Sequence, residues 1–500
     1  MAIQSIFNKI KTDSIMRLVS SQVVVKATLD TSSDQGVILG TSADARAIAI
    51  EPMQGEVQIN GKVNFKTIFL SNENGVTSLD YFADFNDIVK DVNITASSKL
   101  MLKLNVIDTD STVSGGDIIL TAVVEIVIDE VKTEEVEVLS SIENSVFSKN
   151  DNIDTETFKV MAEGAFELFE EVEAAAEIDK VLVYDAQLAL TSGKCGVNTI
   201  MLTGEAYAVI SYRSGDAIMS KNVTIPFSEE MDAEGATPES MVIPELMIKN
   251  KRIVLSGGKG ENIIRIEMVI AVKAPVFAMN SNKIISDIYS NTTNMEYEDQ
   301  KVTANVMVMG SCFKEKISAV ATLNAGMPNI KNILTICLAR NNIANLIPGN
   351  NEIIAEGLMT ACVLYLDDEG KPTAVRAELP YSLKMMAEGV MDGDMLTGYG
   401  SVYNVGAKAN SVNEIEVKAD IKICVTVNRK KSSKVISKII EGEKKDIKQN
   451  AVSIYIASGG EEMWDIVKSL STSPDDIMSQ NADMKMPLAK GTKVRVYRSI

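Results

Sequence analysis

Three segments of the chain share one pattern, and this internal repeat limits the possible folds more than any other feature. They begin at Gly61, Gly204 and Gly357 and read GKVNFKTIFLSNENGVTSLDYFADF, GEAYAVISYRSGDAIMSKNVTIPFS and GLMTACVLYLDDEGKPTAVRAELPYS. In each, a glycine leads an apolar run, a polar turn follows, and a second run ends near an aromatic residue. Turn residues between two β-type runs predict a hairpin. The repeat therefore predicts one hairpin-containing fold used three times.

Alternation in longer runs predicts antiparallel sheets. Apolar and polar side chains alternate over residues 56–69, 264–272 and 415–427. Period two with one wet face is typical of strands in a sandwich or partly open barrel. Residues 166–180 have helical composition where the repeat predicts strands, so helix and strand both stay open there. We predict a mainly β protein with three tandem, related, antiparallel β-sandwich-like domains.

Composition shifts and turn-rich stretches place the boundaries of these domains. We predict domains at 21–150, 151–288 and 289–428. Residues 1–20 form a separate N-terminal segment, where helical spacing of apolar residues is compatible with a short amphipathic helix. Those apolar residues are Ile3, Ile6, Phe7 and Ile10. We expect this helix to pack on its own domain, with docking on a membrane as the alternative. Residues 429–450 are basic and are interpreted as a solvated linker or connecting helix, with a docking patch for an acidic partner as the alternative.

Several function classes are disfavoured by composition. The chain has no histidine, which removes the commonest general base and metal ligand, so we predict a non-enzyme with no catalytic residues, metal or cofactor. A net charge of -19 repels phosphate backbones and disfavours nucleic acid as a partner. No run of about 18 apolar residues is present, so no membrane span is predicted. The N-terminus lacks the continuous apolar region of a secretory signal.

The five cysteines are widely spaced and odd in number, which does not resemble a disulfide framework. Most lie in apolar surroundings. We therefore interpret them as reduced core thiols and expect a reducing, cytoplasmic compartment. They are Cys195, Cys312, Cys337, Cys362 and Cys424.

Residues 451–500 follow a different pattern from the rest of the chain. A short strand over 453–457 precedes a Gly-Gly turn, and apolar residues then recur at helical spacing from Met463 to Leu470. Ser473 can cap a second helix, with Pro474 at its first position. Alternation at Val494 and Val496 predicts a last strand. The predicted order is β-α-α-β.

This C-terminal segment resembles LysM domains over its whole length. The matching residues are Tyr455, Gly460, Trp464, Ile466, Lys468, Ile477, Asn481, Leu488, Gly491 and Val494. The predicted structural core of the module is Tyr455, Trp464, Ile466, Ile477 and Val494, with Trp464 as an anchor between the helices. LysM domains bind N-acetylglucosamine polymers such as peptidoglycan in a groove between two loops. The resemblance carries that groove onto Gly460, Glu461, Glu462, Met463, Asn481, Ala482, Asp483 and Met484.

The module departs from the LysM pattern in the first groove loop. The usual Gly-Asp-Thr turn is here Gly460-Glu461-Glu462, which lacks the small capping residue and its hydroxyl. Two glutamates in a saccharide groove disfavour a neutral glycan. Protein binding through the same module therefore becomes the favoured interpretation.

The three repeats resemble SPOCS domains. The motif is Ile225-Pro226-Phe227-Ser228 in the second repeat and Leu379-Pro380-Tyr381-Ser382 in the third. Three SPOCS-like repeats followed by LysM resemble the SipL family of clostridial spore-coat morphogenetic proteins. The resemblance implies a spore-coat scaffold in the mother-cell cytoplasm, at the forespore surface, whose LysM domain binds the coat-basement morphogenetic ATPase. The alternative is a cell-envelope protein that binds peptidoglycan.

Overall fold

The chain is almost entirely β-structure. The computed structural model describes residues 3–445 and 452–497, except 31–35, 72–74, 115–116, 144, 216 and 257–261. Strands make up 78% of the described residues and helices 3%, in several antiparallel sheets, so the mainly β prediction is confirmed. Two of the three predicted hairpin turns, at 72–74 and 216, lie partly outside the described residues.

Six strands of the first unit form two three-stranded antiparallel sheets. The sheet orders are β1-β6-β5 and β2-β3-β4. The strands are β1 Ser5–Asp30, β2 Val37–Met53, β3 Glu56–Ser71, β4 Gly75–Lys90, β5 Lys99–Ser114 and β6 Asp117–Ile142. Buried residues from both sheets, such as Ile59 and Leu120, share one hydrophobic core, as in a β-sandwich.

The second and third units repeat this topology. The second has sheets β7-β13-β12, with short β11 also on β13, and β8-β9-β10; the third has β14-β19-β18 and β15-β16-β17. Second-unit strands are β7 Phe147–Glu173, β8 Lys180–Cys195, β9 Thr199–Ser214, β10 Ala217–Asp232, β11 Met241–Val242, β12 Glu245–Ser256 and β13 Ile263–Tyr289. Third-unit strands are β14 Thr293–Thr322, β15 Ile330–Gly349, β16 Glu352–Asp367, β17 Pro372–Met386, β18 Met395–Ala409 and β19 Glu414–Lys444.

The repeated glycine of each hairpin lies directly opposite the repeated aromatic residue. The cross-strand pairs are Gly61–Phe85, Gly204–Phe227 and Gly357–Tyr381. A Cβ at Gly204 would lie 2.4 Å from the Phe227 ring, and the other two glycines leave equally little room. The glycine is therefore required because the aromatic ring packs over its backbone.

The first and last strands of every unit extend beyond its sandwich as a two-stranded ribbon. The ribbons are residues 5–16 with 130–142, 147–160 with 276–289, and 293–307 with 428–444. All three contribute to two hydrophobic clusters, which together we call the hub. Its buried side chains are Ile10, Val138, Leu139, Val146, Ile153, Ile284, Ile285, Ile288, Val302, Val435 and Ile436.

The predicted N-terminal helix over residues 1–20 is wrong, because β1 begins at Ser5 and runs through this segment. Ile10 packs in one cluster of the hub and Phe7 against another. Lys9 and Lys11 of the same strand are exposed to solvent. The segment is a strand because it pairs with β6 along its length, and this long-range pairing outweighs the helical spacing of its few apolar residues.

The predicted basic linker over residues 429–450 is also wrong as far as Lys444, because β19 continues to that residue. Residues 446–450 lie outside the described part of the chain. Three lysines of the strand are paired with acidic residues of the second and third units. These pairs are Lys431–Asp154 at 2.9 Å, Lys434–Asp299 at 3.0 Å and Lys438–Glu298 at 2.7 Å. The pairing weakens the alternative of a docking patch for an acidic partner.

The ambiguous segment 166–180 is strand up to Glu173, where β7 ends. Phe166 and Leu168 lie opposite Ile270 and Met268 of β13. Pairing with a buried neighbouring strand outweighs the weak helical preference of Glu and Ala. The unit boundaries follow the same strands. The connection after Tyr289 lies next to the predicted division at 288, whereas the connection after Ile142 precedes the predicted division at 150.

The prediction that the cysteines are reduced thiols is wrong for one pair. Cys312 and Cys424 form a disulfide between the paired strands β14 and β19. Cys337 and Cys362 are buried and free, and Cys195 is half-buried and free. The bond could not be predicted from the sequence, because the two cysteines are 112 residues apart and lie opposite each other only through the register of β14 and β19. With two cysteines bonded and three free, the cysteines do not indicate a reducing compartment.

The three sandwiches also meet away from the hub, at a buried cluster of charges. Asp185 of the second unit lies 2.8 Å from Arg340 of the third and 3.3 Å from Lys251. Burial opposes ionisation of Asp185, but Arg340, Lys251 and Lys66 outweigh it and lower the pKa of the carboxyl. Burial also lowers the pKa of Lys66, from the first unit, to about 8. A cavity of about 1720 Å³ opens between the units and is lined by strands from all three.

Candidate partner-binding module

The C-terminal module has the order β-α-α-β. Its elements are β20 Val452–Ile456, α1 Met463–Leu470, α2 Pro474–Gln480 and β21 Lys493–Tyr497. The two strands pair antiparallel and the helices cover one face of them. Of the predicted core residues, Ile466, Ile477 and Val494 are fully buried, whereas Tyr455 and Trp464 are only half-buried.

Local capping explains where the two helices begin. Glu462 caps α1 in a reciprocal arrangement with Asp465, whose side chain accepts the Glu462 backbone N–H at 3.1 Å. Ser473 caps α2, as the sequence predicts, by accepting the Asp476 backbone N–H at 3.0 Å. The glutamates that break the LysM pattern thus include a helix cap.

The first loop of the predicted groove is held by its own hydrogen bonds. Glu461 accepts the backbone N–H groups of Ser458 and Gly459 and the hydroxyl of Tyr455. The Ser458 N–H is the main reason that the pKa of Glu461 lies below its ordinary value. Three of about four acceptor positions of this carboxylate are already used within the module. Next to it, the Gly460 N–H donates to the Leu488 carbonyl at 2.8 Å.

The second loop of the predicted groove begins with a structural residue. The Asn481 amide donates to the carbonyls of Ile477 and Arg495 at 2.9 and 2.8 Å, and accepts the Arg495 N–H at 2.8 Å. Asn481 therefore ties α2 to β21. Ala482 and Asp483 are exposed. The last predicted residue, Met484, packs against the module core.

Two further groove residues contact the second unit. The Lys149 ammonium lies 3.7 Å from the Glu462 carboxylate. Met463 belongs to a cluster that includes Phe147 and Tyr289. The eight predicted residues are thus partly committed to loop closure, helix capping and docking. Gly460, Ala482 and Asp483 remain at the surface of the module.

Trp464 docks the module on the hub, which corrects its prediction as an anchor between the helices. Its indole N–H donates to Asp287 of β13 at 2.8 Å. Its ring meets the ring of Tyr289 edge-on, with centroids 5.1 Å apart. The Tyr289 hydroxyl donates to the Thr472 carbonyl at 2.7 Å. Sequence reasoning missed this contact because the partners lie far apart in the chain.

Asp287 is the centre of this docking interface. It also accepts hydrogen bonds from Lys468 at 2.6 Å and from the Tyr297 hydroxyl at 2.9 Å. Burial opposes ionisation, but the bonds from Lys468, Trp464 and Tyr297 outweigh it and lower the pKa of Asp287. A half-buried carboxylate with three side-chain donors, two of them on α1, fixes this helix against the second unit.

Docking through α1 leaves the outer face of the module's strand pair uncovered. Val452, Ile454 and Ile456 on this face are 68%, 61% and 61% exposed. They lie opposite Tyr497, Arg495 and Lys493, which are also exposed. We call these six residues the outer face. The outer face was not predicted from the sequence. The alternation rule nevertheless indicates it, because Val452, Ile454 and Ile456 must lie on the opposite face of the strand from Tyr455.

No family model, curated protein or solved structure matches the chain. Among the described residues, no cluster of three His, Cys, Asp or Glu side chains could hold a metal ion. None of the described helices is long and apolar enough to cross a membrane.

Proposed function

We propose that this chain is a non-enzymatic spore-coat assembly scaffold that binds a coat morphogenetic partner through its LysM-like C-terminal module. By resemblance, the partner is the coat-basement ATPase, and the site of action is the mother-cell cytoplasm at the forespore surface. The assignment of three SPOCS-like repeats and one LysM-like module rests on the motifs quoted above. Location rests on the resemblance alone.

The outer face is the single observation that carries protein binding. Three contiguous aliphatic side chains on a regular strand, bordered by one tyrosine and two cations, form a compact apolar surface with a charged rim. Partner surfaces of this kind bury aliphatic and aromatic anchors and use rim charges for orientation. Lys493 and Arg495 favour a partner with acidic residues around its own apolar contact.

Rigid mounting supports a scaffold role. The module is held by Trp464, Lys468 and Asp287 on a hub that all three units share. A recognition surface fixed on a large body retains its orientation after binding, which reduces the ordering cost of assembling further contacts.

The alternative of peptidoglycan binding receives less support. Glu461 carries a negative charge in the predicted groove and uses its oxygens within its own loop. Glu462 caps α1 and pairs with Lys149. Neither carboxylate is arranged to receive a neutral sugar.

The test compares the binding of the purified coat-basement ATPase to the full chain and to two variants. Ile454→Glu places a charge in the outer face, opposite Arg495, where it does not disturb the fold. Val412→Glu is the matched control, since Val412 is 57% exposed in the third unit. We expect Ile454→Glu to weaken binding about 10-fold or more, as for loss of an interface anchor, and Val412→Glu to leave Kd unchanged.

Two outcomes would contradict the proposal. One is equal affinity of the ATPase for wild type, Ile454→Glu and a chain lacking residues 452–497. The other is saturable retention of the full chain on purified peptidoglycan that depends on those same residues, which would establish the glycan alternative.

A further inference from the structure

Equivalent positions in the three ribbons carry a polar residue that is buried in every case. The first strands of the three units, β1, β7 and β14, each place one residue in the same cluster of the hub. These equivalent residues are Ile10, Ile153 and Val302. Three residues further along each strand lie Asp13, Glu156 and Asn305. All three are buried among apolar neighbours. A buried polar side chain requires a hydrogen-bond partner, and each of these finds it in another unit.

The three side chains form a closed cycle of contacts. Asp13 of the first unit accepts the backbone N–H of Phe158 in the second. Glu156 of the second unit accepts the backbone N–H of Met307 in the third. The Asn305 amide of the third unit donates to the carbonyl of Ile15 in the first, at 3.2 Å. In every step, the backbone group in the bond lies two positions after the polar residue of its own unit. Phe158 follows Glu156, Met307 follows Asn305, and Ile15 follows Asp13 in this way.

The apolar layers of the hub obey the same threefold pattern. The last strand of each unit contributes one residue to the first hydrophobic cluster of the hub and the following residue in sequence to the second cluster. These layers are Val138, Ile284 and Val435, followed by Leu139, Ile285 and Ile436. A two-stranded ribbon alone is marginally stable in water, so each ribbon needs the other two.

We infer that each ribbon is a self-association surface whose partner is the like ribbon of another unit, and that three ribbons close the ring. The contacts are side-chain and backbone contacts between units, and none depends on the short connections after Ile142 and Tyr289. A unit separated from the chain, or supplied by a second copy, therefore fits the same place. The hub would associate in this way whether or not the module binds a coat protein.

The test uses the full chain with a protease site inserted directly after Glu143 and cut only after folding. We expect the first unit to remain bound to the rest during size-exclusion chromatography at low micromolar concentration. When two differently tagged cut copies are mixed, the first units should exchange between them. Separation of the two pieces upon cutting under native conditions would overturn the inference.

Reciprocal substitutions at two equivalent positions, Asp→Asn and Asn→Asp, test whether the cycle of hydrogen bonds holds the units together. Asp13→Asn keeps an amide oxygen that can accept the Phe158 N–H, so its effect on the affinity of the two pieces should be less than about 3-fold. Asn305→Asp replaces the amide that donates to the Ile15 carbonyl with a carboxylate, and two oxygen acceptors then face each other. It should weaken the affinity about 10- to 100-fold. Equal affinities for these two variants would show that the cycle does not hold the units together. Separation of the wild-type pieces upon cutting would overturn the inference even if a variant misfolds.

Discussion

Glu156 makes the stability of the hub depend on pH. Its side chain is 6% exposed. Burial raises the pKa of its carboxyl from 4.5 to about 7, although the hydrogen bond from the Met307 N–H opposes the shift. The folded state therefore binds more protons than the unfolded state between these two values. Because the folded pKa is the higher one, stability falls as pH rises through this window and levels off above it.

The magnitude follows from the two pKa values. A difference of 2.5 between them, at about 1.4 kcal/mol per pH unit, corresponds to about 3 kcal/mol of stability lost between about pH 4.5 and pH 8. Glu156→Gln removes this loss while its amide oxygen can still accept the Met307 N–H. The variant should be about 3 kcal/mol more stable than wild type at pH 8, and the difference should shrink towards pH 5.

Urea unfolding at pH 5 and pH 8, followed by far-ultraviolet circular dichroism, measures this difference. Urea is uncharged and leaves the electrostatics of the hub unscreened. Glu167→Gln on the exposed face of the same strand is the matched control and should show no pH-dependent gain. A stabilisation by Glu156→Gln that is the same at both pH values, or absent, would refute the reasoning.

Two further substitutions test the sandwiches. Gly204→Ala should lower the free energy of unfolding by about 1–3 kcal/mol, because the new Cβ has no room beneath the Phe227 ring; Gly310→Ala, with no atom within 4 Å of the added Cβ, should change the urea midpoint little. Cys424→Ser removes a cross-link between residues 112 apart, which should cost about 4–5 kcal/mol by chain entropy. A reductant should then lower the urea midpoint of wild type and leave that of Cys424→Ser unchanged.

Local sequence signals predicted the hairpins well. Gly61, Gly204 and Gly357 lead strands whose partners follow within one turn, so the glycine, the turn and the aromatic residue all lie in one short segment. The Ser473 cap and the β-α-α-β order of the module are equally local. Such features are set by nearest neighbours in sequence and can be read without knowing the rest of the fold.

The misjudged elements have their partners far away along the chain. Residues 5–16 and 429–444 are strands because they pair with residues 130–142 and 293–306, more than a hundred positions away along the chain. Trp464 matched the pattern of an internal anchor, yet its acceptor is Asp287, far away along the chain. The predicted groove was drawn from family resemblance, whereas the exposed outer face depends on which side of the module the hub covers.

The sequence by itself determined that a β-hairpin unit is used three times and that a small helical module follows, because periodicity, turns and caps are local properties. Only the tertiary structure decided that the long strands meet in one hub, that Asp13, Glu156 and Asn305 close a ring, and that the module is fixed by Asp287. Those outcomes depend on strand register and on contacts between residues more than a hundred positions apart. No local pattern of residues encodes them.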